Sequence, residues 1–157
     1  MNGKLVGGGI VLGALIAGAG VWYAQVYGYY HTVDAATPAA EIRLTALGGA
    51  EEPVATTGFE GIDAGSSPLR FRGCFRTSVS IATLTETYKV YEHPTPLTAP
   101  SWFGCFDAGR IGADLEAGRA VAFLSEMNVH PGVDRVVAIY PDGRAYAWQQ
   151  LNDKAGE

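Results

Sequence analysis

Residues 5–30 carry no charged side chain, and this apolar segment constrains the fold more than any other feature of the sequence. Gln25 is the only strongly polar side chain within it. A helix of this length would extend roughly 39 Å, whereas the hydrocarbon core of a bilayer needs only about 20 residues. We therefore predict a transmembrane helix within residues 1–30, with the remaining chain on one side of the membrane.

The two ends of this segment differ, which predicts its orientation. Its C-terminal end is aromatic, with Trp22, Tyr23, Tyr27, Tyr29 and Tyr30. Such rings are typical of the interface between lipid and water. Lys4 is the only basic residue before the segment, so the positive-inside rule predicts a cytoplasmic N-terminus and an exported domain. Ala17-Gly18-Ala19 leaves open a cleaved signal peptide, which would deliver the domain to the same compartment.

Small residues recur along one side of the predicted helix. They are Gly9, Gly13, Ala17, Gly20, Ala24 and Gly28, and we call them the small-residue face. Spacings of three and four residues place side chains on one face of a helix. Small side chains there allow a second membrane helix to approach closely. The general abundance of Gly and Ala in spanning helices is the alternative explanation. The stripe predicts packing against other membrane-protein subunits.

The chain after residue 30 is acidic. It contains 10 basic and 16 acidic residues, a formal net charge of −6. Nucleic-acid binding requires a clustered basic surface, so the charge balance argues against nucleic-acid partners. No Lys or Arg follows the helix closely, which also argues against docking on anionic lipid headgroups.

The hydrophobic pattern predicts an α+β fold for residues 41–157, an antiparallel sheet with one or two helices, after a tether at 31–40. Alternation predicts strands at 41–47, 69–75 and 144–151, and a strongly apolar run predicts a strand at 133–140. Pro141-Asp142-Gly143 predicts a tight hairpin turn. A helix is predicted over 107–117, because Gly118 is placed to end it.

Three segments are ambiguous in the sequence. Residues 48–68 form either a long loop or two weak strands. Residues 78–91 fit a helix by their spacing and a strand by their Thr-rich composition. Residues 119–126 could extend the preceding helix, but we prefer a strand followed by a connecting turn at 127–132.

Cys74 and Cys105 both lie in the exported domain, in matching Gly-Cys-Phe contexts. An even count in an oxidising compartment favours a disulfide. Buried thiols and a metal or redox role remain alternatives, although the spacing matches no zinc pattern and no Cys-x-x-Cys is present. The three histidines are isolated, and no motif pairs a nucleophile with a base. We expect no enzyme activity, no metal and no cofactor.

A possible docking surface combines a basic cluster with aromatic residues. Arg70, Arg72 and Arg76 lie on or beside one predicted strand, and Trp102 and Phe103 follow a proline-rich loop. Exposed aromatic and Arg side chains are typical of protein interfaces. The alternatives are an exposed strand face paired with acidic side chains, and rings buried in the domain's own core.

Several segments resemble one known family. They are Met1–Ile10, Gln25–Tyr27, Ser66–Arg72, Trp102–Asp107 and Val133–Gly143. The chain resembles a family of small single-span membrane proteins of unknown function from Rhodobacter-like alphaproteobacteria. The resemblance implies a Gram-negative inner membrane and a periplasmic domain, and it implies no activity.

The small-residue face and the absence of a catalytic motif lead to one functional expectation. We expect an accessory or assembly subunit of a larger, energy-transducing inner-membrane complex. A membrane-anchored binding or sensing module is the first alternative, using the surface between the sheet and the loop at 94–106. A metal or haem maturation factor acting through Cys74 and Cys105 is the second.

Overall fold

The computed structural model describes residues 2–153, which fall into two compact units that separate at Tyr30 and His31. The first unit is helix α1 (Gly3–Tyr23), continued by a π-helix at Ala24–Gly28. The Asn2 side chain accepts a hydrogen bond from the backbone N–H of Lys4 (3.3 Å) and so caps the helix. The continuous helix Gly3–Gly28 is long and apolar enough to cross a membrane. The π-helix was not predicted.

The second unit is an α+β domain, as predicted. Its strands are β1 (His31–Val33), β2 (Arg43–Thr45), β3 (Glu51–Pro53), β4 (Thr57–Asp63), β5 (Arg72–Arg76), β6 (Val121–His130), β7 (Val133–Ile139) and β8 (Arg144–Leu151). Its helices are a 3₁₀ turn at Pro38–Ala40, α2 (Ile81–Thr87) and α3 (Ala108–Glu116). Six strands form one antiparallel sheet in the order β1-β4-β5-β8-β7-β6, and β2 pairs with β3 separately.

Both faces of the six-stranded sheet are buried, and each has its own core. We call one the hairpin face, because the β2–β3 hairpin and α2 supply core residues there; its core includes Leu44, Phe75, Leu84, Phe123 and Val137. The other is the loop face, covered by α3 and by residues 92–107, which we call the cover loop; its core includes Cys74, Phe106, Ile111, Tyr146 and Trp148. Side chains alternate between the faces because successive residues of a strand point to opposite sides.

Two predicted connections are parts of the folded domain. The predicted tether at 31–40 contains β1, which pairs with β4, and Val33 and Ala40 are both buried. The turn predicted at 127–132 is wrong, because β6 continues to His130 through two irregularities in its pairing with β7. Asn128 adopts a positive φ of 51° there. Such a bulge hides the regular alternation by which a strand is recognised.

The three segments that are ambiguous in the sequence contain both helix and strand. Residues 48–68 include β3 and β4, so the two-strand interpretation describes them better than a loop does. Residues 78–91 begin as α2, capped by Ser80, and then form two isolated β-bridges at Tyr88 and Val90. The preferred strand at 119–126 is confirmed as the first part of β6.

Candidate functional site

The small-residue face of the N-terminal helix is open. No residue of α1 or of the π-helix is buried. A Cβ added at Gly9, Gly13 or Gly20 would meet no atom of the described chain within 4 Å. At Gly28 an added Cβ would contact the Cβ of Ala24 at 3.8 Å. Each of these positions can therefore accept close approach of another helix.

The aromatic residues at the end of this helix form a cluster. The rings of Trp22 and Tyr27 meet edge to face with centroids 5.9 Å apart, and those of Tyr23 and Tyr27 stack at 5.6 Å. Residues 24–28 hydrogen-bond in the wider π pattern, with the N–H of Tyr29 donating to the carbonyl of Ala24 (2.9 Å). Short π segments of this kind are frequent at functional sites.

The predicted disulfide is present. Cys74 in β5 and Cys105 in the cover loop are bonded, with Cα atoms 6.3 Å apart. Cys74 belongs to the loop-face core, and Cys105 packs against it. Neither cysteine is free, and residues 2–153 contain no group of three or more His, Cys, Asp or Glu side chains able to hold a metal. The disulfide ties the cover loop to the centre of the sheet.

Arg72 corrects the predicted basic surface. It is only 3% exposed, and its guanidinium points into the underside of the cover loop rather than into solvent. Nε donates to the carbonyl of Leu97 (2.8 Å), and Nη2 donates to that of Thr98 (3.1 Å). Nη1 donates to the carbonyls of Leu69 (2.7 Å) and Phe71 (2.6 Å). Arg72 is thus a buried donor that satisfies carbonyl groups of an irregular segment.

The other predicted docking residues do not form one surface with Arg72. Arg76, at the far end of β5, is exposed and donates to the carbonyl of Asp142 (2.9 Å). Arg70 is half-buried before the strand. Phe103 is half-buried and packs against the loop-face core, whereas Trp102 remains 40% exposed. Of the five predicted residues, Arg76 and Trp102 are the exposed ones.

A second polar anchor of the cover loop was missed in the sequence. Gln150, 6% exposed, accepts hydrogen bonds from the N–H of Thr95 (2.7 Å) and from Trp148 Nε1 (2.9 Å). Its Nε2 donates to the carbonyl of His93 (3.0 Å). The alternation of β8 places Gln150 on the same face as Tyr146 and Trp148, but a polar side chain there does not reveal that a loop covers it.

Beside Gln150, a buried carboxylate joins three parts of the chain. Asp134 Oδ1 accepts from the backbone N–H of Asn128 (2.9 Å) and from Asn152 Nδ2 (2.8 Å). Its Oδ2 accepts from the Tyr91 hydroxyl (3.2 Å). Burial, followed by the charge of Asp134, raises the pKa of Tyr91 to about 12. Tyr91 therefore stays protonated at neutral pH and donates to Asp134, so the network links residue 91 to β7 and to Asn128 and Asn152.

A groove with a volume of about 840 Å³ lies between residues 90–96 and α3. The α3 wall is made of small residues, including Gly109 and Gly112, and Ala120 and Ala122 also line the groove. Glu92, His93 and Glu116 supply its polar groups. The binding surface expected between the sheet and the cover loop is instead filled by packed core, because Trp148 is fully buried and Tyr146 is 7% exposed there.

Comparison with known proteins assigns the chain to a family. A family model described as a family of unknown function (DUF6446) matches residues 42–157, and the chain belongs to that family. The match begins just before β2 and includes the disulfide, Arg72 and the cover loop. No curated protein and no solved structure matches the chain.

Proposed function

We propose that this member of the DUF6446 family is a non-catalytic accessory or assembly subunit of a larger bacterial inner-membrane complex, of the energy-transducing class. In this proposal the helix Gly3–Gly28 spans the membrane with its N-terminus in the cytoplasm, and residues 31–157 lie in the periplasm. The observation that carries the proposal is the open small-residue face of the helix.

The physical argument concerns what drives membrane helices together. Lipid tails are as apolar as Leu, so helices gain little from hydrophobic burial and associate through close van der Waals packing. A helix that only anchors a domain needs no small-residue face. Small residues at Gly9, Gly13, Ala17, Gly20, Ala24 and Gly28 leave room for a partner backbone along this face of the helix.

The exported domain supports the same proposal in two ways. A disulfide is typical of oxidising compartments such as the periplasm. The disulfide, Arg72 and Gln150 all fasten one irregular loop, which makes a rigid domain suited to contacting neighbouring subunits.

The test introduces a large side chain on the small-residue face. The tagged full-length protein is purified from its native membranes in mild detergent, and co-purifying subunits are identified for the wild type and for Gly13→Leu. We expect Gly13→Leu to lose the partners. Gly18→Leu is the matched control, because Gly18 lies off the stripe and a Cβ there also meets no atom within 4 Å.

Two results would overturn the proposal. One is a wild-type protein that purifies without any stoichiometric partner. The other is a Gly13→Leu variant that retains its partners as fully as Gly18→Leu does. Equal membrane levels of both variants, measured by immunoblot, separate loss of association from loss of insertion.

A membrane-anchored binding module is the second candidate, favoured by the groove between residues 90–96 and α3. Its volume of about 840 Å³ is in the range of small-molecule sites. Native mass spectrometry of the protein from its own membranes would detect a retained small molecule. Gly112→Leu fills the groove and should remove that mass, whereas Gly104→Leu, in the cover loop outside the groove, should not. A wild-type protein that carries no such mass argues against this candidate.

A further inference from the structure

A second groove lies at the β1 edge of the sheet and is lined mainly by apolar and aromatic groups. It has a volume of about 550 Å³, and we call it the aromatic groove. Trp102 and Phe103 from the cover loop contribute its rings, and residues 32–35 and 59–62 line it on the side of the sheet. It shares no lining residue with the groove beside α3.

The rings of the aromatic groove are held in place by the surrounding structure. Trp102 and Phe103 meet at an interplanar angle of 74° with centroids 6.4 Å apart, so they form two walls of a corner. Phe103 is also half-buried and packs against the loop-face core.

Two carboxylates line the same groove. Asp34 and Glu60 are both exposed, and neither forms an ion pair within residues 2–153. Asp34 Oδ1 accepts from the backbone N–H of Ala36 (2.9 Å), which orients its side chain. The exported part of the chain has a formal net charge of −6, so its overall field also attracts cations.

This combination selects one chemical class. Aromatic faces attract a cation through the ring quadrupole, and alkylammonium groups are recognised in this way. Metal ions such as Ca²⁺ need six or more oxygen ligands, which two carboxylates do not provide. A neutral apolar ligand would gain nothing from Asp34 and Glu60. We propose that the aromatic groove binds a small alkylammonium solute, with Trp102 and Phe103 contacting the cation and the two carboxylates balancing its charge.

The test titrates tetramethylammonium chloride into the full-length protein in maltoside micelles, at constant ionic strength. Binding is followed by the change in tryptophan emission in a Trp22→Phe background, which retains Trp102 in the groove and the fully buried Trp148 outside it. We expect saturable binding with a dissociation constant of about 1 mM or tighter. Choline should bind similarly, and its neutral isostere 3,3-dimethylbutanol should bind at least about tenfold more weakly.

Variants connect the binding to the named groups. Asp34→Asn combined with Glu60→Gln should weaken binding about tenfold, whereas the control pair Glu51→Gln with Glu86→Gln, on exposed residues outside the groove, should not. Trp102→Leu, followed by calorimetry, should abolish binding, and Trp102→Phe should retain part of it. Near-ultraviolet circular dichroism verifies that each variant is folded.

Three outcomes would overturn the proposal. They are the absence of a saturable signal, equal binding of choline and 3,3-dimethylbutanol, and unchanged binding by the Asp34→Asn/Glu60→Gln pair. A trimethyllysine peptide that binds far more tightly than choline would overturn the assignment to a free solute. None of these experiments depends on the small-residue face, so this site and the proposed function can fail separately.

Discussion

The two faces of the sheet are closed by different physical means. On the hairpin face, β2–β3 and α2 satisfy most of their backbone groups in regular structure and contribute apolar side chains such as Leu44 and Leu84. On the loop face, the cover loop has no regular structure and contains three prolines. Its carbonyls therefore depend on donors from the sheet, and Arg72 and Gln150 provide them.

The difference teaches what an irregular cover requires. A helix or strand brings its own hydrogen bonds, so it needs only an apolar surface to pack against. A loop over a buried sheet would leave polar groups unpaired, at a cost of about 1–3 kcal/mol each. The sheet meets that requirement by placing polar side chains at strand positions that face the core. Mutations at the two faces should therefore destabilise the domain for different chemical reasons.

The largest expected effect is at Arg72. Arg72→Met keeps the length and apolar stem of the side chain but removes donors to four carbonyls. We expect a loss of about 4 kcal/mol in the free energy of unfolding, measured by urea denaturation of the full-length protein in micelles. Arg76→Met, which removes one exposed contact, is the matched control and should cost less than about 1 kcal/mol. Similar losses in the two variants would contradict the buried-donor role.

Loss of the disulfide should have the second-largest effect on the free energy of unfolding. Replacing both Cys74 and Cys105 with Ala removes a cross-link over 31 residues. The chain-entropy model predicts a loss of about 3.7 kcal/mol. Dithiothreitol should lower the urea midpoint of the wild type and leave that of the double variant unchanged. A wild-type midpoint insensitive to the reductant would show that the cross-link does not stabilise the domain.

On the hairpin face, the stability of the domain should depend on the volume of the buried side chains rather than on their polarity. Leu84 in α2 is fully buried, and Leu84→Ala should cost about 3 kcal/mol through lost contacts and a cavity. Leu84→Met conserves volume and should cost less than about 1.5 kcal/mol. Leu84→Met should lower the free energy of unfolding much less than Arg72→Met does, and this contrast tests the difference between the two faces directly. Equal damage by the two Met substitutions would refute it.

The smallest expected effect is a pH dependence on the loop face. Asp114 in α3 accepts from the Tyr140 hydroxyl (2.7 Å) and from Arg119 Nε (2.7 Å), and these bonds hold the pKa of the Asp114 carboxyl below its usual value. Because the Asp114 pKa is lower in the folded than in the unfolded state, its ionisation stabilises the fold at pH values above the unfolded-state pKa of about 3.9. This stabilisation is lost as the pH falls through the folded-state pKa.

Asp114→Asn removes this ionisation. The wild type should be more stable than the variant at about pH 6, and the difference should shrink towards about pH 2. Urea midpoints at the two pH values give the measurement, with Glu51→Gln as a control at an exposed carboxylate outside this network. A difference that is constant with pH would exclude the Asp114 ionisation as its source.

Much of the fold follows from local sequence patterns. The apolar run at 133–140 and the alternation along 144–151, with the turn between them, predict β7 and β8 closely. Asp107 caps α3, and Gly118 follows it with a φ of +69°, a conformation that favours glycine. The family match supports the resemblance seen in the quoted segments, from residue 42 onward.

The predictions that failed share one cause, because the strands concerned form only by pairing with other strands. β1 has only three residues and exists because β4 pairs with it, so local composition resembles a tether. The end of β6 is recognised only through its pairing with β7 around Asn128. Arg72 and Gln150 share a face with Cys74 and Trp148, but their polar side chains do not indicate that a loop covers that face, since a strand has the same period whatever covers it.

By itself, the sequence determined the long apolar helix with its small-residue face, the strands of the last hairpin and the pairing of two cysteines. Each of these depends on periodicity, length or count, which are local properties. Only the tertiary structure decided that Arg72 is buried, that the cover loop closes the sheet, and that Asp34 and Glu60 line one groove with Trp102 and Phe103. Those facts depend on contacts between residues 25 or more positions apart, which no local pattern encodes.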